Sequence, residues 1–183
     1  MTRRTSSVLS LLAGLMLGAC LMLVGLAQAG RLAPPPNPAV LVALAQDLEV
    51  EHKKVDVLLG KKDYAGAIAT LESVRKQDWP TRAVAGEAAE QLRHDVYGRL
   101  VRLRLDHPEV DARTPAQLDE LVREGLGDDY TSLQVNAFTA RLVALRGEVA
   151  EKRGDDDAAL TAYDEALTMN RGLLQQALAG AAP

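Results

Sequence analysis

From position 38 onward the apolar residues fall at intervals of three and four, the spacing of helices that each bury one face. Asn37 followed by Pro38 reads as a helix start, a side-chain cap ahead of a first-turn proline. Leu41, Ala45, Leu48, Val55 and Leu59 then form a stripe that ends at Gly60. Asp63 caps a second helix whose apolar positions are Tyr64, Ala67, Ile68, Leu71 and Val74. Pro80 opens a long third helix, striped by Ala85, Ala89, Leu92, Val96, Leu100 and Leu103 and ending near "DHPEVD". Thr114 and Pro115 start a short fourth, "PAQLDELVREGL", closed by Gly127. A fifth is expected from about 130 to 153, with Phe138, Leu142, Leu145 and Val149 on one face. A sixth runs from Asp155 through Leu167, and "RGLLQQALAG" forms a separate terminal helix. No stretch sustains period-two alternation, so no sheet is expected. The fold class is all-α, built of successive antiparallel hairpins.

The first thirty residues obey a different pattern. Arg3 and Arg4 precede a run without charge from 5 to 30, and 8–29 is long enough to span a bilayer as a helix. Positive charge ahead of the run puts the N-terminus in the cytoplasm and everything later outside. Three readings stay open. The length of the run favours an uncleaved anchor in a bacterial cytoplasmic membrane, single-pass, with the C-terminal domain on the periplasmic side. The small-x-small "AQA" before Gly30 favours a cleaved signal for export. "LGAC" favours a lipoprotein acylated at Cys20. Gly14 and Gly18 have the spacing that lets two apolar helices approach closely, a route to self-association. "RLAPPPNP", 31–38, reads as a stiff spacer ahead of a helical domain over 39–180.

Charge and composition narrow the chemistry. Lys+Arg 21 against Asp+Glu 25 leaves a net charge of −4 over 183 residues, which gives no electrostatic reason to expect nucleic acid. Cys20 is the single cysteine, which excludes an internal disulfide, a two-cysteine redox motif and a cysteine-based zinc site. Glu90 and His94 stand one turn apart, but no second histidine pair supports a metal, and they read as a surface pair. His107 falls at a helix exit, where a cation suits the dipole. Arg93, Arg99, Arg102 and Arg104, interleaved with Glu87, Glu90 and Asp95, read as a mixed solvated face. In "RGDDDAALTAYDEAL" Asp155 reads as a cap and Asp156 and Asp157 as first-turn acids, fanning out rather than converging on a cation. The RGD tripeptide of 153–155 falls on the same turn. No nucleophile–base set, carboxylate pair or phosphate loop stands out, so neither an enzyme nor a cofactor is expected.

Two stretches align with each other. "LLGKKDYAGAIATLESV" (58–74) matches "AEKRGDDDAALTAYDEA" (150–166), pairing Asp63 with Asp155, Ala67 with Ala159 and Leu71 with Tyr163. On these residues the chain resembles the tetratricopeptide repeat (TPR) family. The resemblance implies close helix contact at Gly147 and Ala150, a turn at Gly154 and Asp155, and packing positions at Ala159, Tyr163 and Ala166. It places repeat-like hairpins at about 39–79 and 130–170, with a degenerate middle pair over 80–128. Lys54 and Val55 stand where Leu-Gly is usual, and the separation of the two copies is not a multiple of the roughly 34-residue period. The implied architecture is a short TPR-like solenoid of about three hairpins, enough to share a core. The implied groove residues are Glu49, His52, Asp56, Arg141, Glu148 and Lys152, which do not match the Lys/Asn clamp of chaperone-binding relatives. The implied function is a membrane-tethered extracytoplasmic scaffold that receives another envelope protein or peptide during assembly of a cell-envelope complex. The alternative, from the histidine- and charge-rich helices, is a periplasmic stress or metal sensor.

Overall fold

The computed structural model describes residues 37–180. The expectations for the leader, including Cys20, Gly14, Gly18 and the span 8–29, lie outside the described residues. Among the described residues there are seven α-helices and no strand, and no helix is long and apolar enough to cross a membrane. The helices are α1 (Pro38–Gly60), α2 (Tyr64–Arg75), α3 (Arg82–Ala85), α4 (Glu87–Asp106), α5 (Pro115–Leu126), α6 (Ala137–Lys152) and α7 (Asp156–Gly180), with a 3-10 turn at Tyr130–Ser132.

Local chemistry sets most of the boundaries. The Asn37 side chain accepts from the Ala39 N–H at 3.0 Å and the Asp63 side chain from Gly66 at 2.9 Å. Thr114 and Gln117 form a reciprocal capping box at the start of α5, and Asp155 caps α7 by accepting from the Ala158 N–H. Three expected boundaries are corrected. The third helix does not run unbroken from Pro80, because Gly86 takes φ 71 and splits a single turn, α3, from α4. The Asn37 N–H donates to the Val84 carbonyl at 2.7 Å, which ties that turn to the start of α1. The fifth helix begins at Ala137 rather than near 130, since Asn136 caps it by accepting from the Phe138 and Thr139 N–H groups. Finally, α7 continues without a break past Leu167 to Gly180, because nothing in "TMN" interrupts a helix.

Contacts follow chain order with regularity. α1 packs on α2, α2 on α4, α4 on α5, α5 on α6 and α6 on α7, while α4 also lies beside α1 and α6. Side-chain pairs give the directions. His52 sits by Asp95 and Asp56 by Arg99, and His94 meets Thr139 while Arg102 meets Glu148. The numbers rise together in both sets, so α1, α4 and α6 run the same way. The other helices return. Tyr64 stacks on His107 while Glu72 pairs with Arg104, and His94 approaches Leu126 while Tyr97 reaches Glu124. Leu71, Val96, Leu100, Val101, Val122, Leu142, Val143 and Val149 fill the shared core.

Two glycines let helices close against tyrosines. A methyl group at Gly125 on α5 would come within 2.7 Å of the Tyr97 ring of α4, and one at Gly147 on α6 within 2.5 Å of Tyr163 of α7. Gly172 meets nothing within 4 Å. The same substitution should therefore act in opposite directions at two helical sites. Gly125→Ala should destabilise the fold by about 1–3 kcal/mol through overpacking. Gly172→Ala should be neutral or stabilising by up to about 1 kcal/mol through helix propensity. Urea unfolding of the two variants checks the pair.

Candidate partner-binding groove

The three helices that run together, α1, α4 and α6, turn one common face outward. At its floor lie Val55 and Leu59 of α1 and Leu103 of α4, beneath an open cavity of about 520 Å³. Arg99, Arg102 and Asp106 of α4 and Arg141 of α6 stand around it, and Tyr64 and His107 close one end. The Tyr64 and His107 rings are stacked, with centroids 3.5 Å apart and planes 16° apart. His107 therefore does more than terminate α4, since its ring also braces the start of α2.

Ion pairs cross the face from helix to helix. Asp56 of α1 lies 3.5 Å from Arg99, which also pairs with Asp95 at 3.2 Å one turn earlier on α4. Arg102 reaches Asp106 on its own helix and Glu148 on α6. Arg141 is exposed and joins no ion pair among the described residues. At the α6–α7 side, burial and the neighbouring Glu151 push the Tyr163 phenol up to about 12, so it remains protonated.

His52 is the least satisfied group on this face. Its Nδ1 lies 3.7 Å from Asp95, and its Nε2 is buried without a hydrogen-bond partner. Burial and the positive charge of Arg99 hold the imidazole below its ordinary value of 6.5, against the opposing pull of Asp95 and Asp56. The ring is neutral at pH 7. The carboxylate beside Nδ1 favours the proton there, which leaves Nε2 a bare acceptor facing no donor.

The structure therefore brings His52, Asp56, Arg141 and Glu148 of the expected groove into one region. Glu49 is exposed and held by Lys53 on its own helix, and Lys152 stands exposed in the last turn of α6, outside the network. Sequence reasoning read Asp95, Arg99 and Arg102 as part of a solvated face and did not single out Asp106, whereas Asp95, Arg99 and Arg102 carry the cross-links. The i,i+4 pairs Asp95–Arg99 and Arg102–Asp106 were the available signal.

The opposite side of α4 corrects the expectation of a solvated basic face. Arg104 is only 4% exposed and is held by Glu72 at 2.6 Å and Asp111 at 2.8 Å. Burial alone would raise the Glu72 carboxyl, but Arg75 and Arg104 hold it below its ordinary range. Arg75 pairs with Glu124, which also accepts from the Tyr97 hydroxyl. A cavity of about 580 Å³ opens there between α2 and α5, but Arg75, Arg104, Glu72, Asp111 and Glu124 are paired with one another. The α1–α4–α6 face is the better candidate, because it retains an uncompensated cation, Arg141, beside an apolar floor.

His94 is also corrected, from a surface pair to a core group 2% exposed. Its Nδ1 lies 2.7 Å from the Thr139 hydroxyl, and its Nε2 lies 3.4 Å from the Leu126 carbonyl. Asn136 Nδ2 donates to the Thr139 oxygen, so that hydroxyl is free to donate to Nδ1, and Nε2–H points at Leu126. Glu90 pairs instead with Arg82 at 2.9 Å. Among the described residues no group of three or more His, Cys, Asp or Glu is placed to hold a metal ion.

Burial lowers His94 as it does His52, with the Leu126 carbonyl pulling the other way. As pH falls through about 6.5, the unfolded chain binds these protons before the folded one does, so stability falls with acidification. Urea midpoints should drop between pH 7.5 and 5.5, and the drop should shrink in His94→Gln. Compared with protein-family models, curated proteins and solved structures, the chain matches none.

Proposed function

We propose that the chain is a TPR-like scaffold that binds a segment of another envelope protein in the groove across α1, α4 and α6. It is tethered to the outer side of the cytoplasmic membrane by residues 8–29. The observation that carries this reading is the outward face itself: apolar floor, mixed-sign rim and one uncompensated arginine. The order of helix contacts, with three helices running together and three returning, supports a solenoid of three hairpins. The alignment of 58–74 with 150–166 supports it independently.

The groove's chemistry describes its ligand. Arg141 calls for a carboxylate, whether a side chain or a chain end. Val55, Leu59 and Leu103 call for one or two apolar side chains beside that carboxylate. Desolvating the ion pairs that rim the groove is costly, so the segment's gain comes from direct apolar and polar contact.

The expected outcome is measured by crosslinking the native protein in its membrane and recovering what is attached. Arg141→Glu reverses an exposed charge and should reduce recovery of the envelope partner by about tenfold or more. Glu120→Lys, an exposed change on α5, serves as control and should leave recovery unchanged. Equal recovery from the parent chain and Arg141→Glu sinks the groove assignment.

A further inference from the structure

The three returning helices differ on the side turned to solvent. Ala65, Ala69 and Ser73 are the exposed residues in the middle of α2, and Ala116, Gln117, Glu120 and Arg123 are their counterparts on α5. α7 instead exposes Leu160, Leu167, Leu174 and Leu178. At 3.6 residues per turn these four, with Asp164 and Arg171 between them, share one strip about 27 Å long. The alignment of Asp63 with Asp155 puts Leu160 where α2 has Ile68. Ile68 is 6% exposed, within the core that later helices complete, whereas Leu160 is 64% exposed, with none of the described helices packed over it. An uncovered leucine strip of this length marks an interaction surface.

The order of residues along the strip identifies its occupant. We propose that a second copy of this chain docks here, α7 against α7, antiparallel about a two-fold axis near Leu167. In that arrangement Leu167 meets its own counterpart, and Leu160 meets Leu174 of the second copy. Asp164 meets Arg171 of the second copy, and by symmetry the pair forms twice. Asp164 and Arg171 are exposed, and neither joins an ion pair among the described residues. A parallel pairing would set acid on acid and base on base, so the strip's charges select the antiparallel one. The contact is self-complementary and closes at two copies. The other exposed apolar series, Val42, Val50 and Val57 on α1, has Lys53 within it. A head-to-tail contact between α7 and that face would build open chains instead of dimers.

Sedimentation of the full-length protein in mild detergent, over a concentration series, tests the proposal. The parent chain should be a dimer. Asp164→Arg alone and Arg171→Asp alone should each raise the dissociation constant about tenfold or more, because like charges then face each other. The double exchange, Asp164→Arg with Arg171→Asp, should restore dimerisation. In a Cys20→Ser background, Leu167→Cys should form a disulfide-linked dimer. Leu178→Cys, about 16 Å of helix from the axis, should not. A monomeric parent chain overturns the proposal, as does growth into open polymers. So does a dimer indifferent to the single exchanges, which would place self-association in the leader or on another face.

Discussion

Two helices joined by a tight turn share too little apolar surface to hold themselves together, and α4 supplies what both flanking hairpins lack. Eleven of its twenty residues are buried, an unusual share for a helix that also carries eight charged side chains. It packs against α1, α2, α5 and α6. The groove exists only through this helix. His52 and Asp56 on one side, and Glu148 on the other, are joined by Asp95, Arg99 and Arg102 between them.

Burying a guanidinium in that helix is costly unless carboxylates meet it with good geometry. Arg104 has two, one from α2 and one from the segment leading into α5, so the charge fastens two elements to α4 at once. Removing either carboxylate would leave a buried charge short of a partner, which costs more than the intact pair contributes. The Asn136–Thr139–His94–Leu126 chain does the corresponding work on the α5–α6 side with neutral groups. Both faces of α4 are thus fixed by polar contacts in addition to the apolar core.

The parts of the fold that were legible in the sequence are those decided locally. Asn37-Pro38, Asp63, Thr114-Pro115 and Gly127 mark helix ends through contacts within a few residues, and the structure puts the ends there. Gly86 was not legible as a break, because its φ of 71 is fixed by the contact of α3 with the start of α1. The burial of Arg104 and His94 was hidden for the same reason, since their partners lie far away in sequence. In the site, the residues on α1 and α6 were reachable because those helices lead directly into the two stretches that align. The α4 residues read only as a solvated face, because their partners across the groove, His52, Asp56 and Glu148, lie far away in sequence.

The common direction of α1, α4 and α6 has a further consequence. Their N-terminal ends lie along one edge of the groove and their C-terminal ends along the other. Backbone N–H groups therefore gather at the first edge and carbonyls at the second, within the single turn over which a helix dipole is felt. The returning helices cancel this field at a distance but not at the groove's own margins. The surface accordingly has a heading: a chain laid along it in one sense and the same chain reversed are different ligands.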